Sequence, residues 1–222
     1  VAIGAYGDDA GGGDAGHVRI YENNNGTWTQ IGSDIDGEAS TNYLGHSVSL
    51  SDDGSIVAIG ASHNDGGGTY SGHVRVYENN NGTWTQIGSD IDGESSYDYS
   101  GYSQSGSAVS LSSDGTVVAI GAYRNDGGGT DSGHVRLYKN NNGTWTQIGS
   151  DIDGESSSDY FGWSVSLSDD GSVVAIGGIY DDDAASDAGH VRIYENNNGT
   201  WTQIGSDIDG ESSSDYFGWS VS

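Results

Sequence analysis

Three kinds of side chain recur in this sequence at spacings that could support chemistry. The first are carboxylates. The run Asp34-Ile35-Asp36-Gly37-Glu38 returns as Asp90, Asp92 and Glu94, as Asp151, Asp153 and Glu155, and as Asp207, Asp209 and Glu211. Calcium takes six to eight oxygen ligands, so each run could supply about half a coordination shell. A solvated turn is the alternative reading. The second are His17, His73, His134 and His190, each followed two residues later by Arg19, Arg75, Arg136 or Arg192. The third is Asn25-Gly26-Thr27, repeated at Asn81, Asn142 and Asn198, an N-glycosylation acceptor that also has the chemistry of a tight hairpin turn. The two readings are compatible, since both require an exposed asparagine.

For catalysis the sequence offers no site. It contains no cysteine, no nucleophile elbow and no phosphate loop opening a helix. The acids of Gly-Asp-Asp-Ala-Gly-Gly-Gly-Asp (7–14) would repel phosphate. Near-identical repeated segments also argue against an active site, which draws different residues into one pocket. The expectation is therefore a non-enzyme with no cofactor beyond a candidate calcium ion.

The elements that must position these residues follow from the repeat. The string NNNGTWTQIGSDIDGE occurs four times, at 23–38, 79–94, 140–155 and 196–211. Its tryptophans Trp28, Trp84, Trp145 and Trp201 are separated by 56, 61 and 56 residues, the long interval arising from an insertion at Gln104 to Ala108. A fixed period of this size signals a solenoid, propeller or array. Within one unit, Leu44-Gly-His-Ser-Val-Ser-Leu alternates polar and apolar residues as a strand does. Ser51-Asp52-Asp53-Gly54 is turn chemistry, Ile56-Val-Ala-Ile59 is a short apolar strand, and His73-Val-Arg-Val-Tyr77 alternates again. Asn81-Gly82 then turns the chain into Thr83–Ile87, and a polar linker from Ser89 to Tyr99 leads onward. Four short strands per unit without helical periodicity predict an all-β fold, a β-propeller built from four tandem four-stranded blades. The units are 1–43 with 217–222, then 44–99, 100–160 and 161–216, in a single repeat domain. Pairing of 217–222 with the first unit would close a four-bladed ring.

On this reading the repeated tryptophans form a structural core. The histidines stand on third strands, roughly 10 Å outside the innermost ones, so four imidazoles do not converge on one ion. They are expected at contacts between blades, with the arginines paired to linker aspartates.

Composition narrows the partners. The chain has 222 residues, 33 acids against 6 Lys and Arg, and a net charge of −27. Such a surface repels nucleic acid and anionic lipid. No apolar run reaches the length of a membrane span, so membrane insertion is not expected. Only 32% of residues are hydrophobic, yet 6 Trp and 14 Tyr provide large buried areas for an ordered core.

These features resemble the FG-GAP repeat, known from integrin α-chain propellers and from bacterial and algal surface proteins. Phe161-Gly162 and Phe217-Gly218 match its FG element, and Val57-Ala58-Ile59-Gly60-Ala61 matches the second element, with Ser62 where the family often has proline. The family's calcium loop, D-x-D-x-D-G-x-x-D, is reduced to Ser51-Asp52-Asp53-Gly54-Ser55. The resemblance implies an extracellular or cell-surface adhesion or assembly module meeting protein or glycan partners or copies of itself, and the Asn-Gly-Thr acceptors make a glycoprotein the expectation. An alternative is a lectin-like ligand-binding propeller using Trp163, Trp219, Tyr99 and Tyr102.

Overall fold

A computed structural model describes residues 1–102 and 108–222; the inserted residues 104–107 lie outside them. Among the described residues every regular element is a strand. The first sheet comprises β1 (Ala2–Ala5), β2 (His17–Asn24), β3 (Thr27–Gln30) and β4 (Ile35–Asp36). The second comprises β5 (Leu44–Leu50), β6 (Ile56–Ala61), β7 (His73–Asn80), β8 (Thr83–Gln86) and β9 (Ile91–Asp92). The third has β10 (Val109–Leu111), β11 (Val117–Ala122), β12 (His134–Asn141), β13 (Thr144–Gln147) and β14 (Ile152–Asp153). The fourth has β15 (Phe161–Leu167), β16 (Val173–Gly178), β17 (His190–Asn197), β18 (Thr200–Gln203) and β19 (Ile208–Asp209). Each is an antiparallel meander with one addition. The two-residue strand folds back onto the third strand, so that Ile91 opposes Val74 and Asp92 opposes His73. The polar linker thus holds a short fifth strand that the sequence reading treats as connection.

The core lies between sheets. Val57, Ile59, Ala61 and Leu44 of the second blade pack with Val18 and Ile20 of the first, while Ala58 faces Val109, Val118 and Ile120 of the third. An apolar run covered on both faces is what a blade's second strand requires. A third cluster joins Ala119, Val135 and Leu137 to Phe161, Val174 and Ile176.

The glycines of the two family elements interlock these blades. Gly45, Gly101, Gly162 and Gly218 take φ of +89°, +76°, +87° and +88°, which side-chain-bearing residues rarely adopt. Each meets the glycine in the second strand of the preceding blade, and a Cβ on Gly121 would overlap the carbonyl oxygen of Gly162. Ser47 Oγ donates to Gly101 O at 2.7 Å, and Ser164 Oγ to Gly218 O at 2.6 Å. The Asn-Gly pairs form hairpin turns, with Asn81 at φ +51° and Gly82 at +88°.

The expected pairing of the chain's two ends is not observed. Phe217 bridges to Gly189 within the fourth blade, and no ladder joins 217–222 to β1, which pairs with β2 alone.

Candidate functional site

The segments repeated without change between units and those that vary lie in different places. The identical NNNGTWTQ strings form the outer hairpins, with Asn25, Asn81, Asn142 and Asn198 exposed at their tips. Trp84, Trp145 and Trp201 are half-buried at blade junctions. Each Nε1 donates to a carbonyl of the preceding blade, at Ile31, Ile87 and Ile148, all at 2.9 Å. Trp28 makes no such bond among the described residues and is 58% exposed, so it stands outside the core in which the sequence places it.

The repeated acids do not gather as triplets. In three of the four runs the first aspartate turns to an arginine of its own blade, Asp34 to Arg19, Asp90 to Arg75 and Asp207 to Arg192, whereas Asp151 accepts from Gln147. The glutamate reaches the next blade instead: Glu38 to Arg75 at 2.5 Å, Glu94 to Arg136 at 3.3 Å, and Glu155 to Arg192 at 2.7 Å. The middle acids Asp36, Asp92, Asp153 and Asp209 stand opposite the four histidines on the short strands. Glu211 is exposed. The arginines thus act as staples within and between blades, and the histidines sit in four separate blades.

A different constellation stands where the units differ. The position two after the first-element residue reads His46, Tyr102, Trp163 and Trp219. The residues after the second element read Tyr6-Gly7, Ser62-His63, Tyr123-Arg124 and Ile179-Tyr180. Tyr43, Tyr99, Tyr160 and Tyr216 complete the set. All four hold φ between +51° and +55°, a left-handed conformation costly for a bulky residue. Their backbone amides fix them by donating to Asp14, Tyr70, Asp131 and Asp187 carbonyls.

These rings form one aromatic basin. Tyr123, Trp163 and Ile179 are buried at its floor, with Tyr99, Tyr102, Tyr160, Tyr180 and Tyr216 packed around them. A hollow of about 330 Å³ is lined by Tyr123, Arg124, Tyr160, Trp163, Tyr180 and Trp219, at the small end of ligand pockets. Arg124 Cζ lies 5.5 Å from the ring centres of Tyr99 and Tyr123 and 5.8 Å from that of Tyr160, a cation–π arrangement. Among the described residues no carboxylate lies within ion-pairing distance of Arg124. Among the described residues, its Nε and the indole Nε1 of Trp163 are buried donors without an acceptor. Such donors are costly unless something accepts from them.

His63 enters from the neighbouring blade, packing edge-on against Tyr43 at 4.7 Å and Tyr99 at 5.0 Å. Ser62 Oγ lies 2.9 Å from its Nδ1. Burial, and then the neighbouring His46, holds the imidazole below its ordinary pKa, so it is neutral at pH 7. Burial likewise pushes the Tyr123 phenol upward, keeping it protonated. The arrangement can stack an apolar ring face and donate to oxygen atoms, with a neutral base one ring away. Sequence reading named Trp163, Trp219, Tyr99 and Tyr102 but missed Arg124 and His63. The signal was available in the unit-to-unit differences, since Arg124 stands where the other units carry Gly7, His63 or Tyr180.

Residues 151–194 match the FG-GAP repeat family, in agreement with the resemblance drawn from the sequence. No curated protein matches the chain. Among solved structures the chain is similar to a candidate 6-phosphogluconolactonase from Bacteroides uniformis, with TM-score 0.55 and 15% identity over 88% of this chain and 49% of that one. It is also similar to the periplasmic gluconolactonase of Pseudomonas aeruginosa, with TM-score 0.53 and 15% identity over 89% of this chain and 49% of that one. The chain spans about half the length of both. At this identity the likeness is one of fold. It nevertheless overturns the expectation of a non-enzymatic adhesion or assembly module, with its lectin-like alternative. That expectation excluded catalysis because the units are alike, whereas lactonases share the architecture and the units here differ at the basin.

Proposed function

From the premise that the chain carries FG-GAP repeats on an arc of propeller-like blades, we propose that it is a hydrolase of sugar lactones or related sugar-acid esters, acting at the Arg124 basin. The observation that carries the reading is the pair of buried donors without acceptors, Arg124 Nε and Trp163 Nε1, in an aromatic hollow of monosaccharide scale. Aromatic faces suit the C–H faces of a sugar ring, and a guanidinium suits a carbonyl or carboxylate oxygen. The fold shared with the lactonases named above supports the reaction class.

In this mechanism Arg124 donates to the lactone carbonyl oxygen and stabilises the negative charge that develops there. The oxygen of a water molecule bonds to the carbonyl carbon, and its proton passes through a second water to His63, which stands one ring outside the hollow. The ring C–O bond then breaks, and the proton is returned to the departing ring oxygen, giving the open hydroxy acid. Ser62 keeps the imidazole oriented.

The test is pH-stat hydrolysis of gluconolactone, corrected for spontaneous opening. A saturable rate is expected that falls about 100- to 1000-fold in Arg124→Met. A rate equal to background, or one unaffected by Arg124→Met, overturns the reading.

A further inference from the structure

The four histidines occupy equivalent positions on β2, β7, β12 and β17, yet their surroundings differ. His17 Nδ1 lies 3.0 Å from Asp8 Oδ1, and His190 Nδ1 lies 2.9 Å from Asp181 Oδ2. In the second blade His73 faces Asp90, but both oxygens of that carboxylate are held by Arg75, at 2.8 and 2.7 Å. The third blade breaks this pattern. Arg136 turns away and donates to the Asp92 carbonyl at 2.8 Å and pairs with Glu94 at 3.3 Å. Among the described residues Asp151 is left with one side-chain bond, from Gln147 Nε2 to Oδ1 at 2.6 Å. Its Oδ2 faces His134 Nδ1 at 3.8 Å, too far for a hydrogen bond. The His134 side chain is 1% exposed, neither ring nitrogen has a hydrogen-bond partner among the described residues, and, unlike the equally buried His190 with Asp181 at 2.9 Å, it has no carboxylate at contact distance.

A ring nitrogen of His134 and one oxygen each from Glu94 and Asp151 lie within 4.8 Å of one another. Two atoms that share a metal at about 2.1 Å each stand roughly 3–4 Å apart, so the gap that is too wide for a proton suits an ion. We infer that His134, Asp151 and Glu94 form a binding site for a first-row divalent cation of the zinc class. One imidazole with two carboxylates is a borderline donor set, which favours zinc or cobalt over calcium. Asp151 and Glu94 are 28% and 44% exposed, so the ion enters past them while the histidine closes the inner side. Glu94 comes from the preceding blade, so the ion would bridge the second and third blades. Comparable ligand atoms also gather at His17, Asp34 and Asp36, at His73, Asp90 and Asp92, and at Glu155, Asp183 and Asp207, but there Asp8 holds His17, while Arg75 and Arg192 hold Asp90 and Asp207.

Cobalt titration of the whole chain, read by visible absorption and by metal retained after dialysis, tests the inference. One cobalt per chain is expected, displaced by zinc and not by calcium. His134→Gln should weaken binding at least about 100-fold. His190→Gln, which alters an equally buried imidazole already paired with Asp181, should leave it unchanged. Asp151→Asn keeps the histidine and should weaken binding as well. X-ray absorption of the cobalt-loaded wild type should show one imidazole. An oxygen-only shell, binding unchanged in His134→Gln, or no retained metal overturns the inference.

Discussion

At Gly121 one added methyl group would collide with the carbonyl oxygen of Gly162 in the next blade, whereas a Cβ at the hairpin glycine Gly143 meets nothing. Both substitutions are therefore informative. Gly121→Ala should lower unfolding stability by about 2–3 kcal/mol through overpacking. Gly143→Ala, at φ +87°, should cost about 1 kcal/mol from backbone strain alone. Urea titrations separate the two, and equal losses would mean that the glycine contact does not lock the blades. Asp159 gives a second residue-scale prediction. It is buried, accepts from the Ser156 amide at 2.9 Å, and burial pushes its carboxyl up to about 6. A folded-state pKa above the unfolded value favours folding below the unfolded pKa, and that contribution is lost as pH rises through about 6. Asp159→Asn should therefore stabilise the protein by roughly 1–3 kcal/mol at pH 8 and far less at pH 4. Melting temperatures across that range check it, and a stabilisation equal at both pH values would contradict it.

At the scale of elements, the repeated tryptophans act through position more than through identity. Trp201 joins the third and fourth blades by its bond to Ile148, while Trp28 is exposed and bonds nothing equivalent. Trp201→Phe should cost about 1 kcal/mol, the usual net value of one hydrogen bond. Trp28→Phe should stay within about 0.5 kcal/mol. The strands themselves were legible. Asn-Gly pairs marked the hairpins, alternation marked β5 and β15, and the doubly covered Val-Ala-Ile run marked β6. The strand at Ile91–Asp92 was not legible, because two residues carry no periodicity and its register depends on a partner many residues away. The aromatic basin was legible only in part. Its tyrosines owe their direction to left-handed backbone at Tyr99 and Tyr160, which nothing in the residue type announces. Arg124 looked like one cation among six until the structure placed it on three rings, apart from the four arginines that staple the blades.

For the whole molecule, charge and architecture pull in opposite directions. Four blades bury apolar surface at three junctions, while 33 acids against 6 Lys and Arg leave a net charge of −27. The four blade arginines neutralise acids only where blades and short strands meet, as Arg75 does with Glu38 and Asp90. Other carboxylates, such as Asp53, Asp114 and Asp170, accept from turn amides with no cation paired to them among the described residues. Self-repulsion at that net charge destabilises a compact chain and is screened by salt, with a Debye length falling from about 30 Å at 0.01 M to about 3 Å at 1 M. The half-buried staples are screened less, because they are in contact and shielded from solvent. The melting temperature should therefore rise steadily as sodium chloride increases over that range. Differential scanning calorimetry at fixed pH 7 measures it. A melting temperature that falls with salt would mean that the arginine staples, rather than the repulsion among the acids, dominate the electrostatics of folding.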